Sequence, residues 1–309
     1  MSTWKRSLDA AGVREPGLRR DYGKQRRTVA RYRRASYVAV RLLLPAPALP
    51  HVLAATAFMH HSDGLLDTGP HARRAAAWAE WERQVREALR TGTSSDAVLR
   101  ALVHTVAARP RLRGVLETYL ATATAELDFA GFTTEADYQA YVDAYTFPAF
   151  MLIATLVGPE EDDGDFRAAC RTYIDGSQRL DFTNDLAEDL REGRPGIPSE
   201  TLKRFSLTED DLRAGHETDA IRELVTHEIT RARADLDAAA RLPHLAPAPY
   251  RPLLLALIDI ELLTADAALA RGAGLLKGSA EPSPAGALRV LLKSRLGRRS
   301  SGVQFARPT

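Results

Sequence analysis

Residues 181–195 read DFTNDLAEDLREGRP. The fifteen residues before them, FRAACRTYIDGSQRL at 166–180, carry Phe166, Ala169, Cys170, Tyr173, Ile174 and Leu180 at mostly three- and four-residue intervals. That period predicts one long helix ending near Gly193, with Pro195 beyond it as a stop signal. On such a helix Asp181, Asp185 and Asp189 form a stripe at i, i+4 and i+8, and Gln178 extends it one turn back. Glu188 and Glu192 add to the charge. Like charges at this spacing destabilise a helix, so either the stripe is a solvated face or a cation neutralises it. Leu186 and Leu190 lie beside it, which lets the stripe border a core. Asp185 and Asp189 would offer hard oxygen donors from successive turns, the kind that Mg2+ takes together with substrate phosphate oxygens.

The same helical period recurs outward from this stretch, over 75–90, 95–107, 112–127, 135–157, 218–240 and 249–271. Pro and Gly cluster at 43–50, 68–70, 158–164, 193–198, 242–252 and 279–285, where connections are expected. No run alternates as a strand does and no fixed-period repeat is visible. The expectation is an all-α chain of about ten helices: a basic, partly disordered arm over 1–25, one helical domain over 26–297, and a flexible tail over 298–309.

With 309 residues and 45% hydrophobic content the chain can bury a sizeable core. Net charge is +2, unevenly spread: Lys5, Arg6, Arg14, Arg19, Arg20, Lys24, Arg26, Arg27, Arg31, Arg33 and Arg34 face only Asp9, Glu15 and Asp21 in the first forty residues, and the stretch after Leu292 is also basic. Basic ends attract phosphate, nucleic acid or anionic membranes, but no zinc-finger or aromatic RNA-binding pattern accompanies them, and nucleic acid is not an expected partner. The lone Cys170 excludes an intrachain disulfide and a thiolate cluster and fits a reducing, cytoplasmic setting. Apolar stretches are interrupted by Arg41, by Pro45, Pro47 and Pro50, or by Asp259 and Glu261, so no stable membrane insertion is expected.

A second acidic pair lies in TAFMHHSDGLLDTG, 56–69. Asp63 and Asp67 stand at i, i+4 after the apolar run Val52–Phe58. Read locally they are a helix C-terminus before the Thr68-Gly69-Pro70 turn. Read with Asp185 and Asp189 they are the other half of a Mg2+ site that would hold a diphosphate. His60 and His61 precede them; a histidine suits proton transfer near neutral pH, although no His/Cys spacing here specifies zinc.

At this point the chain resembles the squalene/phytoene synthase family of prenyl-diphosphate enzymes, over roughly residues 30–295. SYVAVRLLLP, 36–45, looks like the family's early helix ending in LLP. TAFMHHSDGLLD, 56–67, sits where the family has YAFxRxxDDxxD. GSQRLDFTNDLAED, 176–189, resembles QxTNxxRDxxED with Gln178, Asp185, Glu188 and Asp189 in register, and ETLKRFSLTEDDL, 200–212, resembles the segment that follows. The resemblance implies a single isoprenoid-synthase-type helical bundle with a central cavity. It also implies Mg2+-assisted ionisation of a prenyl diphosphate, with Asp63, Asp67, Asp185 and Asp189 as metal ligands and Ser36, Arg41, Gln178, Asn184 and Arg194 at the substrates.

The departures from the pattern are specific. Gly64 stands where a second Asp is usual, His60 and His61 occupy the Arg positions, Thr56 replaces Tyr, Leu180-Asp181 replaces Thr-Asn, Asn184 replaces Arg, and Gly196 replaces Tyr. Thr146-Phe147-Pro148-Ala149-Phe150 corresponds to a small AGxVG stretch, so Phe147 and Phe150 place rings where glycines are usual. The expectation drawn from these changes is one short allylic diphosphate donor (C5–C10) and an aromatic acceptor such as a carbazole or indole, as in the squalene-synthase-like aromatic prenyltransferases, with His60, His61 or Asp181 as base. Head-to-head condensation of two prenyl diphosphates is the alternative. Terpene cyclisation (Asn184, Glu188, Arg191 and Glu192 partly resemble a cyclase metal motif) and a non-catalytic scaffold are further readings, and a homodimer stays open.

Overall fold

The apolar three-and-four spacing becomes helix throughout. A computed structural model describes residues 3–32, 34–161 and 163–301, the side chains of 34–36 and 297–301 excepted. In chain order the helices are α1 Thr3–Ala10, α2 Pro16–Tyr32, α3 Arg34–Leu43, α4 Leu49–Asp67, α5 His71–Thr91, α6 Ala97–Ala108, α7 Leu112–Thr122, α8 Thr124–Leu127, α9 Glu135–Tyr141, α10 Phe147–Val157, α11 Gly164–Asn184, α12 Leu186–Glu192, α13 Ser199–Arg204, α14 Glu209–Arg213, α15 Asp219–Ala238, α16 Leu242–Leu245, α17 Arg251–Arg271 and α18 Pro284–Ser301. Among the described residues there is no strand, so the all-α expectation holds. Short polar caps set the boundaries: Asp96 accepts from Val98 N and Leu99 N, and Thr134 and Thr208 each form reciprocal capping boxes.

The chain divides into two compact units. Unit 1 comprises residues 1–128, 148–161 and 246–253; unit 2 comprises 129–147, 162–245 and 254–309. Unit 1 packs α2, α4, α5 and α6 together. Its core includes Val29, Leu53, Leu99 and Leu102, with Phe58 against Trp81 and Tyr119 at ring distances of 6.0 and 6.2 Å.

The arm expected over residues 1–25 is instead mostly helix. Leu8, Val13 and Tyr22 pack with Ala54 and Ala101, and Asp21, only 4% exposed, takes a two-pronged ion pair from Arg100 at 2.7 and 2.9 Å. The many arginines of this segment obscured its buried stripe, Tyr22, Gln25 and Val29 at i, i+3 and i+7. At the other end α18 runs to Ser301, and residues 302–309 lie outside the described residues.

Unit 2 is built on α11 against α15. Their backbones approach at Gly176, where a Cβ would lie 2.7 Å from the Ala232 carbonyl oxygen, so no larger residue fits without displacing α15. Leu186, Leu190, Ile197, Leu202, Leu212 and Leu224 form a second cluster beneath α12. The long helix expected over 166–192 is broken at Asp185, whose φ and ψ are −93° and 13°. Asp185 N–H still donates to the Asp181 carbonyl at 2.8 Å, but Glu188 N–H then reaches back only three residues, to Asp185 O, at 2.8 Å. This tightened turn re-aims everything after it.

The segment Glu135–Val157 contains a π turn at Val142–Thr146. By length and composition alone it is apolar enough to cross a bilayer, and half of that window is buried within the protein.

Candidate active site

In unit 2 the break at Asp185 separates two carboxylates that sequence spacing made equivalent. Asp185 is half-buried and accepts the Ser279 hydroxyl at 2.5 Å. Asp189 is half-buried one turn on, and its Oδ2 is buried with no hydrogen-bond partner among the described residues. Burial pushes the Asp189 carboxyl up to about 8; repulsion from Asp181, Asp185 and Glu192 adds to this, and Arg194 opposes it. Burial and the negative neighbours together make a positive charge beside Asp189 favourable.

Next to these acids stands an aromatic cluster. Phe182 lies 5.7 Å from Phe129, 5.6 Å from Phe132 and 5.9 Å from Tyr141, and the Arg194 guanidinium sits 5.4 Å over Phe129. Phe129, Tyr141 and Phe182 each keep part of their surface open, whereas Phe132 and Tyr138 are buried. Sequence reading missed this cluster because its members are spread from 129 to 182 without a local period.

The remaining candidates in unit 2 have varied surroundings. Asn184 donates its amide to Ala280 O at 3.1 Å and accepts from Ala280 N–H at 2.8 Å, so it fastens the 278–283 loop to the end of α11. One donor and one acceptor of its amide are therefore engaged within the protein. Gln178 is half-buried and Asp181 exposed on α11. Phe147 is buried with the Arg167 guanidinium 4.8 Å over its ring.

In unit 1, α4 carries Asp63, half-buried, and ends on Asp67, exposed. His60 stacks on Tyr32 at 6.4 Å. His61 is exposed at its edge but lies 4.3 Å from the Trp81 ring, and the partial withdrawal from water lowers its pKa. Trp81 Nε1 donates to buried Ser62 at 3.0 Å. A pocket of about 900 Å3 is lined by His60, His61, Asp63 and Gly64 together with Lys24, Arg27, Arg31 and Tyr32 of α2. Of the three cations only Lys24 falls within the arm expected over 1–25; their spacing of three and four on a helix is the signal that they share a face. Thr56 returns its hydroxyl to Val52 O at 2.8 Å. Arg41 is exposed on α3, Phe150 is half-buried on α10, and the side chain of Ser36 lies outside the described residues.

Among the described residues no three His, Cys, Asp or Glu side chains converge as a preformed metal cage. Mg2+ needs none: it is usually held by one or two carboxylates and completes its shell with water and substrate phosphates. Asp185 and Asp189, all-oxygen donors with one buried oxygen unengaged, fit that role.

A model of the squalene/phytoene synthase family matches residues 29–284, most of the chain. The chain belongs to the squalene/phytoene synthase family. Members of this family are prenyltransferases. Among its relatives, the bifunctional protein CrtB/UppS of Streptomyces coelicolor is 28% identical over 241 residues, covering 78% of this chain and 42% of that protein. The chain thus spans less than half the length of that relative. The fold matches a dehydrosqualene synthase with a TM-score of 0.81 at 18% identity, over 92% of this chain and 98% of the other. It also matches squalene synthase HpnC from Alicyclobacillus acidocaldarius with a TM-score of 0.73 at 25% identity, over 87% and 99%.

Proposed function

We propose that this chain ionises an allylic prenyl diphosphate with Mg2+ and joins the prenyl group head to head to a second prenyl diphosphate. The observation that carries it is the Asp185–Asp189 pair, with its buried unengaged oxygen and raised pKa, in a chain of this family. Mg2+ bound there would supply Lewis-acid neutralisation of the diphosphate oxygens. Asp185 and Asp189 supply the carboxylate oxygens, with Ser279 orienting Asp185. The allylic C–O bond breaks and the diphosphate leaves with the electron pair. The open faces of Phe129, Tyr141 and Phe182 suit an allylic cation and keep water from it. The double bond of the acceptor then forms the new C–C bond, and a proton is lost. A cytoplasmic setting is part of the proposal, supported by the single buried Cys170.

A second reading, transfer to an aromatic acceptor, is favoured by the α4 substitutions. A Cβ at Gly64 would meet nothing within 4 Å, so packing does not exclude the missing carboxylate. The pocket there is instead walled by Tyr32, His60 and His61, side chains suited to an aromatic ring and to taking its proton. Incubation with C5, C10, C15 and C20 diphosphates and Mg2+, with and without indole- and carbazole-type acceptors, separates the readings. Diphosphate release with a C30 or C40 product and no added acceptor is the expected result of the first. Release only when an aromatic acceptor is present, yielding a prenylated ring, overturns it in favour of the second.

A further inference from the structure

Three leucines of α18, Leu288, Leu292 and Leu296, are 57%, 52% and 62% exposed, and they fall one helical turn apart on a single stripe. The opposite side of the helix is its packed side. Ser294 is buried, a Cβ at Gly286 would come within 3.2 Å of Leu263, and Lys293 reaches Asp259 at 3.8 Å, so α18 is seated on α17 with the leucines turned away. The helix therefore packs by one side, and its leucine stripe lies outside the core on the other.

The charge on this helix says what the second side meets. Between Pro284 and Ser301 the sequence holds Arg289, Lys293, Arg295, Arg298 and Arg299 and no acidic residue, in a chain whose net charge is only +2. At about 100° per residue Arg289 and Arg295 flank the leucine stripe on its two sides. Long cationic side chains beside an apolar stripe can rest their stems on the acyl boundary and lift their charges to lipid phosphates. Two copies of this face would bring like charges together, which opposes its use as a self-association surface.

We propose that α18 is an interfacial helix that lays Leu288, Leu292 and Leu296 into the surface of an anionic bilayer, holding the chain peripherally on the membrane. The inference is independent of which acceptor the site uses.

Co-sedimentation of the full chain with vesicles tests it. The chain should pellet with phosphatidylcholine vesicles containing about a quarter phosphatidylglycerol, remain in solution with pure phosphatidylcholine, and detach at about 0.5 M NaCl. Leu288→Ser/Leu292→Ser should bind about tenfold or more weakly while its circular dichroism and melting temperature stay those of the parent. Arg289→Glu/Arg295→Glu, which leaves the leucines in place, should lose the preference for anionic lipid. Equal binding to neutral and anionic vesicles, undiminished binding of the leucine variant, or a leucine-dependent dimer in sedimentation velocity would each overturn the proposal.

Discussion

Phe182 fills the space that any side chain at position 196 would need. A Cβ on Gly196 would lie 2.1 Å from Phe182 Cγ and 2.4 Å from its Cβ, too close for a rotamer change to relieve. The ring that occupies this space arrives from α11. Gly196→Ala should cost about 1–3 kcal/mol or more through overpacking. In Phe182→Ala/Gly196→Ala the second change should cost much less than it does alone, a coupling measurable by a double-mutant cycle in urea. Additive losses would mean that the two positions do not compete for space.

The contrast with Gly64 shows what sequence alone distinguished. Both glycines stood out as departures, yet position 64 has open space around a Cβ and position 196 has none, a difference set by residues fourteen or more positions away. The helices and both acidic pairs were legible because each is written in local spacing. The break at Asp185 was not, since part of it rests on Ser279, nearly a hundred residues on. The ordered α2 was hidden because its arginines outnumber the few residues that bury it. Gly64→Asp should accordingly change stability by no more than about 0.5 kcal/mol, as read from the melting temperature.

Arg179 lies 3% exposed, one turn before Thr183, and is the hub of a buried ion network. It donates to Glu228 at 3.1 Å and to Glu135 at 2.5 and 3.2 Å, and stacks 4.2 Å over Tyr138. Burial raises the Glu135 pKa, but hydrogen bonds from Arg179, Gln139 and Arg231 outweigh it and hold the group at about 2. Arg179→Met leaves Glu228, itself 1% exposed, without its hydrogen-bonded cation, and Arg231 stays near, at 3.8 Å. The expected loss is about 3–5 kcal/mol, with partial recovery in Arg179→Met/Glu228→Gln. A loss below about 1 kcal/mol would show that water replaces the guanidinium.

His51 makes the fold acid-sensitive. It is 2% exposed, shares hydrogen bonds with Thr105 at 3.2 Å and the Tyr22 hydroxyl at 3.5 Å, and burial, with Arg109 and His104 adding repulsion, pushes its pKa down to about 4. The unfolded imidazole takes its proton near 6.5. Between those values the unfolded chain binds a proton that the folded chain refuses, so stability is full above about pH 6.5 and falls as pH drops toward 4. This one group accounts for a loss on the order of 2–3 kcal/mol. Urea unfolding at pH 7 and pH 4.5 should show a shallower pH dependence for His51→Gln than for the parent; identical slopes would place the acid sensitivity elsewhere.

Asp185 and Asp189 should separate by what each loses on neutralisation. Asp189→Asn removes a carboxyl that burial and three acidic neighbours disfavour, so the fold should be as stable as the parent or more so. Turnover should nonetheless fall at least about a hundredfold, because the proposed Mg2+ site would lose one of its two carboxylates. Asp185→Asn should show a comparable loss of turnover. Ser279→Ala, which removes only the 2.5 Å hydrogen bond that orients Asp185, should retain turnover within about tenfold. Binding supplies a readout that does not depend on catalysis: Mg2+ with inorganic diphosphate should raise the melting temperature of the parent by several degrees and leave that of Asp189→Asn in place. A parent-like thermal shift and turnover in Asp189→Asn would remove this residue from the metal site.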